Sequence, residues 1–235
     1  MFKDITMKIN GQIVHPQKGW TLLESARFYG IDIPTLCYNE GLSAWGGCRL
    51  CIVEIGEGKK SRLVSSCTYP VEEGLVVKTH STRVINTRKM LVEVLLSTCH
   101  TSKTVQDLAS KLGVRTMRFE LKNSQCIYCG LCVRMCKEQM QAGAIGFKNR
   151  GGNIKIATPF DKTSEQCRRC GACIYICPAC QLRCDGPNPK NPLCGGCLNL
   201  TPTCTNVYDD MMCFMGPKGE CGTCIKGDLN EKRGV

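Results

Sequence analysis

Long apolar runs are missing from this chain of 235 residues. Its most apolar stretch, Met90 to Leu96, is short and holds Glu93, far from the roughly 18 apolar residues of a membrane span. The opening segment MFKDITMKINGQIVHPQKGW has neither the apolar core nor the small-residue cleavage site of an export signal. A cytoplasmic chain is therefore expected. No GxGxxG opens a βαβ unit and no P-loop is present, which excludes the two common phosphate-cradling motifs. Histidine is scarce: His15, His80 and His100 stand in unrelated settings, and no Ser/His/Asp constellation surrounds them. Hydride chemistry would need a flavin or nicotinamide site that no motif here provides. Aromatic residues make up only 6%, and none interleave with the scattered pairs Lys59-Lys60, Arg168-Arg169 and Lys232-Arg233. That argues against a zinc-stapled nucleic-acid-binding protein, which a net charge of +11 would otherwise invite.

What the chain does have is cysteine, 21 residues in all. A hydrophobic content of 43% and a charged content of 22% exclude a disordered chain. In a reducing compartment thiols stay thiols, so many cysteines point to metal rather than to disulfides. An odd count also cannot pair completely within one chain.

Thr6–Ile9 and Gln12–His15 are short β-type runs joined by Asn10-Gly11, a strong hairpin signal. Thr21-Leu22-Leu23-Glu24 forms a capping box that opens a helix reaching Phe28 or Tyr29, with Gly30 suited to a left-handed C′ position. Later strands at Leu50–Ile55, Arg62–Ser65 and Leu75–Lys78 complete an α+β, β-grasp pattern. Within it, Cys37, Cys48, Cys51 and Cys67 are spaced C-x10-C-x2-C-x15-C. A CxxC pair on a tight loop and two flanking cysteines supply the four thiolates of a [2Fe–2S] site. Gly46 and Gly47 would let backbone N–H groups approach the sulfurs. A four-cysteine zinc site is the alternative.

This spacing resembles the N-terminal domain of the complex I large iron–sulfur subunit, of iron-only hydrogenases, and of the diaphorase module of soluble hydrogenases. In that family the next helix, here Ser81–Ser97, ends in a His-x3-Cys-x2-Cys-x5-Cys site for a [4Fe–4S] cluster. His100 stands where the family histidine would, but no cysteine follows before Cys126, so that cluster is expected to be absent. Cys99 is read as a buried thiol and His100 as a surface histidine. Along the helix, Val84, Ile85, Met90, Leu91, Val94 and Leu95 mark the apolar face, with Arg83, Arg88, Lys89 and Glu93 elsewhere.

Two bacterial-ferredoxin motifs follow. Cys126, Cys129, Cys132 and Cys136 form C-x2-C-x2-C-x3-C, and Cys167, Cys170, Cys173 and Cys177 repeat it, with Pro178 closing the second. In two-cluster ferredoxins the fourth cysteine of each run serves the other cubane. Cys126, Cys129, Cys132 and Cys177 are thus assigned to one [4Fe–4S] cluster, and Cys167, Cys170, Cys173 and Cys136 to the second. Gly130 and Gly171 leave room where backbone meets cubane. A hairpin is expected between the motifs, Ala144–Phe147 and Ile154–Ala157 flanking the turn Asn149-Arg150-Gly151-Gly152.

The chain continues with Cys180, Cys184, Cys194, Cys197, Cys204, Cys213, Cys221 and Cys224. This tail has little aliphatic content, so metal rather than a core should fold it. One or two further [4Fe–4S] clusters or zinc fit these cysteines, and spacing leaves their grouping open. The expected organisation is a [2Fe–2S] ferredoxin-like domain at 1–80, a helical linker at 81–120, a 2[4Fe–4S] ferredoxin domain at 121–183 and a metal-binding tail at 184–235. The resemblance implies an electron-transfer subunit of a soluble multisubunit NAD(P)-linked oxidoreductase, such as a hydrogenase, formate dehydrogenase or electron-bifurcating complex. Its partners would be an NAD(P)H-oxidising flavoprotein subunit and a second redox catalytic subunit. A stand-alone multi-cluster carrier is the alternative.

Overall fold

A computed structural model describes residues 5–100, 102–122, 124 and 126–178. The chain divides into two units, the first ending at Cys129 and the second beginning at Gly130.

The first unit starts from the tight turn that asparagine and glycine make possible. Asn10 and Gly11 both take positive φ, 52° and 87°, which reverses the chain between β1 (Met7–Ile9) and β2 (Gln12–Val14). Asn10 does a second job: its amide donates to Thr79 Oγ1 and accepts from the Thr79 N–H, both at 2.8 Å. The hairpin tip is thereby tied to the end of β5 (Val76–Lys78), which runs parallel to β1. With β3 (Ile52–Ile55) and β4 (Arg62–Ser65) the sheet has the order β2-β1-β5-β3-β4. This mixed sheet with one covering helix is the β-grasp arrangement that the pattern of runs predicts. The strands are shorter than expected, since Leu50 and Leu75 lie in the turns that lead into them.

Helix α1 (Leu22–Phe28) opens with the capping box that the sequence announces. Thr21 Oγ1 accepts from the Glu24 N–H, while the Thr21 N–H donates to Glu24 at 2.7 Å. The next orphan donors are met from outside the helix: the Leu22 N–H donates to the Tyr69 carbonyl and the Leu23 N–H to that of Ser66. Helix start and Cys67 turn therefore hold each other. Leu22, Leu23 and Ala26 pack into a core with Met7, Ile9 and Val53, and Cys51 and Cys67 belong to that same core.

Helix α2 (Thr82–Thr98) is capped by Ser81 and packs on β3. Its buried face is Val84, Arg88 and Val92, spaced by four, whereas Met90 and Val94 are 44% and 42% exposed. The apolar stripe read from the sequence is thus corrected. Arginine occupies the inner face because its aliphatic stem packs as a hydrophobe while its head finds carbonyl partners. After the C-cap Cys99, a short elbow leads to α3 (Lys103–Leu112), which ends at Gly113 in left-handed conformation. Cys99 is buried as expected, but His100 is half-buried with its Nδ1 shielded from solvent, not a surface histidine.

In the second unit, α4 (Leu131–Arg134) widens into a π turn over Met135–Gln139. A hairpin of β6 (Gly146–Lys148) and β7 (Lys155–Ala157) follows, and then α5 (Ala172–Tyr175). The hairpin lies where the turn residues placed it. Among the described residues no helix is long and apolar enough to cross a membrane.

Removing the α1 cap tests how the helix start serves the Cys67 turn. Thr21→Ala should cost about 1 kcal/mol in denaturant unfolding, and Thr21→Ser should recover most of it.

Candidate metal centres

The first centre is built by the loop 31–50 and the two ends of the β3–β4 hairpin. The loop carries Cys37 and Cys48, Cys51 immediately precedes β3, and Cys67 sits in the turn after β4. Cys51 and Cys67 therefore lie on segments fixed by the sheet, and Cys37 and Cys48 on the loop that leads into it. Cys37, Cys51 and Cys67 are buried and Cys48 is half-buried. The sulfurs come in two pairs. The Cys48 N–H donates to Cys37 Sγ at 3.3 Å, and Cys51 Sγ lies 3.3 Å from Cys67 Sγ. The Cys67 turn is fastened to Cys51 through backbone and side chain, since both the N–H and the hydroxyl of Ser66 donate to the Cys51 carbonyl.

The electrostatics follow this pairing. A hydrogen bond from Cys67, helped by further donors at Cys67 and Ser66, brings the Cys51 thiol down to about 6 against the opposing effect of burial. Its partner Cys67 is pushed up by sharing that hydrogen bond and by burial, and Cys48 is pushed up by Cys37 in the same way. Four thiolates cannot coexist here without cations to bind them.

Both glycines of the loop are explained, though not wholly as the sequence suggested. Gly46 has φ of +68°, and a Cβ there would lie 3.3 Å from Thr68 Cγ2. A Cβ on Gly47 would stand 2.5 Å from the Trp45 ring, which lies over the chain just before Cys48. Trp45 is the loop residue that sequence reasoning missed, and no periodicity marks it.

The second centre lies within the second unit. A cavity of about 290 Å³ is lined by Cys136, Cys167, Cys170 and Cys173, the set that crosses between the two motifs. That volume is several times the ~30 Å³ share of one liquid water, giving room for a polynuclear group. Among the described residues no three His, Cys, Asp or Glu side chains converge as they would around one ion. Burial pushes Cys173 up to about 12, with repulsion from Cys170, Cys136 and Cys167 adding to it. Burial likewise raises Cys167. The Ala144 N–H donates to Cys136 Sγ at 3.3 Å. Thus a sulfur-lined pocket meets backbone donors, as an anionic iron–sulfur group requires.

The two motifs repeat in backbone as well as in letters. Tyr128 and Arg169, each just before the second cysteine, both have φ of 52°. Gly130 and Gly171, each just after it, have φ of 68° and 73° and open α4 and α5. Left-handed conformation, rather than room alone, is why glycine stands there. Cys126 and Cys129 close the first unit, with Cys129 buried and Cys126 half-buried. Cys132 is buried and Cys177 half-buried in the second. The tail cysteines Cys180, Cys184, Cys194, Cys197, Cys204, Cys213, Cys221 and Cys224 lie outside the described residues.

Residues 3–82 match the 2Fe-2S iron-sulfur cluster binding domain family. That stretch is therefore a 2Fe–2S ferredoxin-type domain. It is 34% identical over 187 residues to the NADP-reducing hydrogenase subunit HndD of Solidesulfovibrio fructosivorans, covering 67% of this chain and 32% of that one. It is 30% identical over 186 residues to the mitochondrial NADH-ubiquinone oxidoreductase 78 kDa subunit of Neurospora crassa, covering 68% of this chain and 25% of that one. The chain thus spans a quarter to a third of the length of these relatives. A crystal structure of NAD+-reducing [NiFe]-hydrogenase in the H2-reduced state superposes with a TM-score of 0.60 at 25% identity, covering 68% of this chain and 79% of that one.

The loop glycines give a direct test of the first centre. Gly47→Ala drives a methyl into Trp45 and should cost about 1–3 kcal/mol, with loss of the visible [2Fe–2S] absorption. Adding Trp45→Ala should return that absorption.

Proposed function

We propose that this chain is an electron-transfer subunit of a multisubunit NAD(P)-linked oxidoreductase. It passes single electrons between a flavoprotein subunit that oxidises or reduces NAD(P)H and a second redox catalytic subunit. One observation carries the reading. A 2Fe–2S domain is followed in the same chain by a cavity lined by four cysteines from both ferredoxin motifs. The relatives' names, hydrogenase and NADH oxidoreductase subunits, agree with it.

On this reading Cys37, Cys48, Cys51 and Cys67 would hold the [2Fe–2S] cluster. Cys136, Cys167, Cys170 and Cys173 hold one [4Fe–4S] cluster. Cys126, Cys129, Cys132 and Cys177 hold the other. The eight tail cysteines bind one or two further clusters or zinc. Iron–sulfur clusters supply reversible one-electron chemistry when bound. The chain's own part is to fix the sulfurs, exclude water and aim N–H donors at them, which lowers the reorganisation each electron demands. We place the domains at 1–80, 81–120, 121–183 and 184–235. The protein acts in the cytoplasm, where a reducing milieu preserves the thiols.

Iron, zinc and acid-labile sulfide per chain, measured on anaerobically purified protein, test this directly. Three clusters give about 10 Fe, and two more cubanes in the tail about 18. Cys136→Ala should remove about four irons while the [2Fe–2S] signal stays. Fewer than about eight irons in fully loaded protein would end the two-cubane assignment. A monomer that is redox-competent without partners would end the subunit assignment.

A further inference from the structure

Arg88 is the largest fully buried side chain of the described residues, 2% exposed on the inner face of α2. It lies beyond the stretch 3–82 that matches the 2Fe–2S domain family, so the charge comes from the helix that follows the domain. Its head group reaches back to the first centre. Nε donates to the Leu50 carbonyl at 3.0 Å and Nη2 to the Ile52 carbonyl at 2.7 Å, the two carbonyls that flank Cys51. Among the described residues no ion pair joins Arg88 to a carboxylate.

A buried cation held only by neutral carbonyls is costly, and proteins keep such charges where an anion meets them. Burial pushes the Arg88 guanidinium below the usual arginine range, and negative charge at Cys51, ahead of that at Asp32, works the other way. Asp32 is exposed and its field is screened by water. The anion that answers Arg88 is therefore the group held at Cys51. A four-thiolate [2Fe–2S] centre carries about −2 when oxidised and about −3 after taking one electron. No bond forms or breaks in that step, so a nearby fixed charge acts directly on its free energy. Net charge and hydrogen bonding around the sulfurs are the levers that set a cluster's potential.

We infer that Arg88 is a positioning residue that serves as the built-in counter-charge of the [2Fe–2S] centre, raising its reduction potential while clamping the loop that carries Cys51. This rests on the cluster assignment proposed above. It makes α2 part of the redox site rather than a spacer, because the charge at Cys51 and the packing of α2 on β3 depend on the same side chain.

The test is a redox titration of the full, cluster-loaded chain, with dithionite as electron donor and the [2Fe–2S] electron-paramagnetic signal as readout. Arg88→Gln keeps a carbonyl-directed donor and removes the charge, and Arg88→Lys keeps the charge. Gln should shift the oxidised-to-reduced balance at least about tenfold toward oxidised, a fall of about 59 mV for one electron. Lys should stay within about threefold of wild type. If Gln fails to load, a Lys variant that loads at near wild-type potential still supports the counter-charge. A loaded Gln variant at unchanged potential overturns it, as does an equal fall in both variants or failure of both to load. Absence of the signal from the wild-type chain would remove the [2Fe–2S] reading itself, and the inference with it.

Discussion

Holding two pairs of cysteines in place, three of the four buried, is the constraint on which the first unit depends. Cys51 and Cys67 lie 3.3 Å apart in a hydrophobic core, and each added negative charge there meets both desolvation and a like-charged neighbour. The pairing settles this unevenly when no iron is bound, with Cys51 low and Cys67 high. On the proposed assignment, a cluster held by Cys37, Cys48, Cys51 and Cys67 would remove the conflict by compensating the thiolate charge. The fold's contribution is to keep the sulfurs from drifting apart in the meantime. Ser66 fastens the Cys67 turn to the Cys51 carbonyl, and the N-terminus of α1 fastens the same turn from the other side. The capping box of α1 and the packing of Leu22 and Leu23 are therefore as much parts of the centre as the cysteines.

The same constraint accounts for the charge of the chain. Each four-thiolate cluster carries about −2 when oxidised, so the three clusters proposed here would bring the formal +11 to about +5. The basic composition, which taken alone points toward nucleic acid, is a counterweight to sulfur and iron. It also has specific addresses. Arg88 is buried against the Cys51 loop, and Arg168 and Arg169 line the sulfur-bearing cavity of the second unit. Each of these positive groups belongs to the chain beyond residue 82, outside the stretch matching the 2Fe–2S domain family.

Much of this was legible because the governing signals are local. Asn10-Gly11 dictates a left-handed turn, Thr21 and Glu24 dictate a helix start, and the cysteine spacings dictate which thiols can share a loop. What stayed hidden depends on partners distant in sequence. Helix α2 has apolar residues on nearly every side, so periodicity alone could not tell that Val84, Arg88 and Val92 face inward while Met90 and Val94 do not. That choice is made by the carbonyls of Leu50 and Ile52, more than thirty residues away. The only sequence cue was the spacing of four between the two valines and the arginine. Trp45 was invisible for a similar reason: its role is to lie over Gly47, which no pattern of hydrophobicity encodes. In the two ferredoxin motifs the glycines are legible, but the residue types Tyr128 and Arg169 conceal that their backbones are held in the same left-handed conformation.

That concealed repeat bears on how the two motifs would hold the clusters proposed for them. A non-glycine residue in left-handed conformation costs roughly 1–2 kcal/mol, and the strands and one-turn helices around Arg169 are too short to offset it by packing alone. Left-handed and right-handed residues in succession turn consecutive N–H groups toward one side, forming a concavity suited to an anion. Such a concavity would, on the proposed assignment, favour the sulfide and thiolate of a bound cluster. On the proposed assignment, binding free energy for iron and sulfide is at the same time folding free energy for the motif. Cys173, raised to about 12 by burial and by its sulfur neighbours, states the other half of that linkage. Its thiol resists ionisation in the cavity and would have to lose its proton to ligate iron. On that assignment, metal uptake and folding in this unit would be one coupled event, with release of protons at the cysteines as its chemical cost.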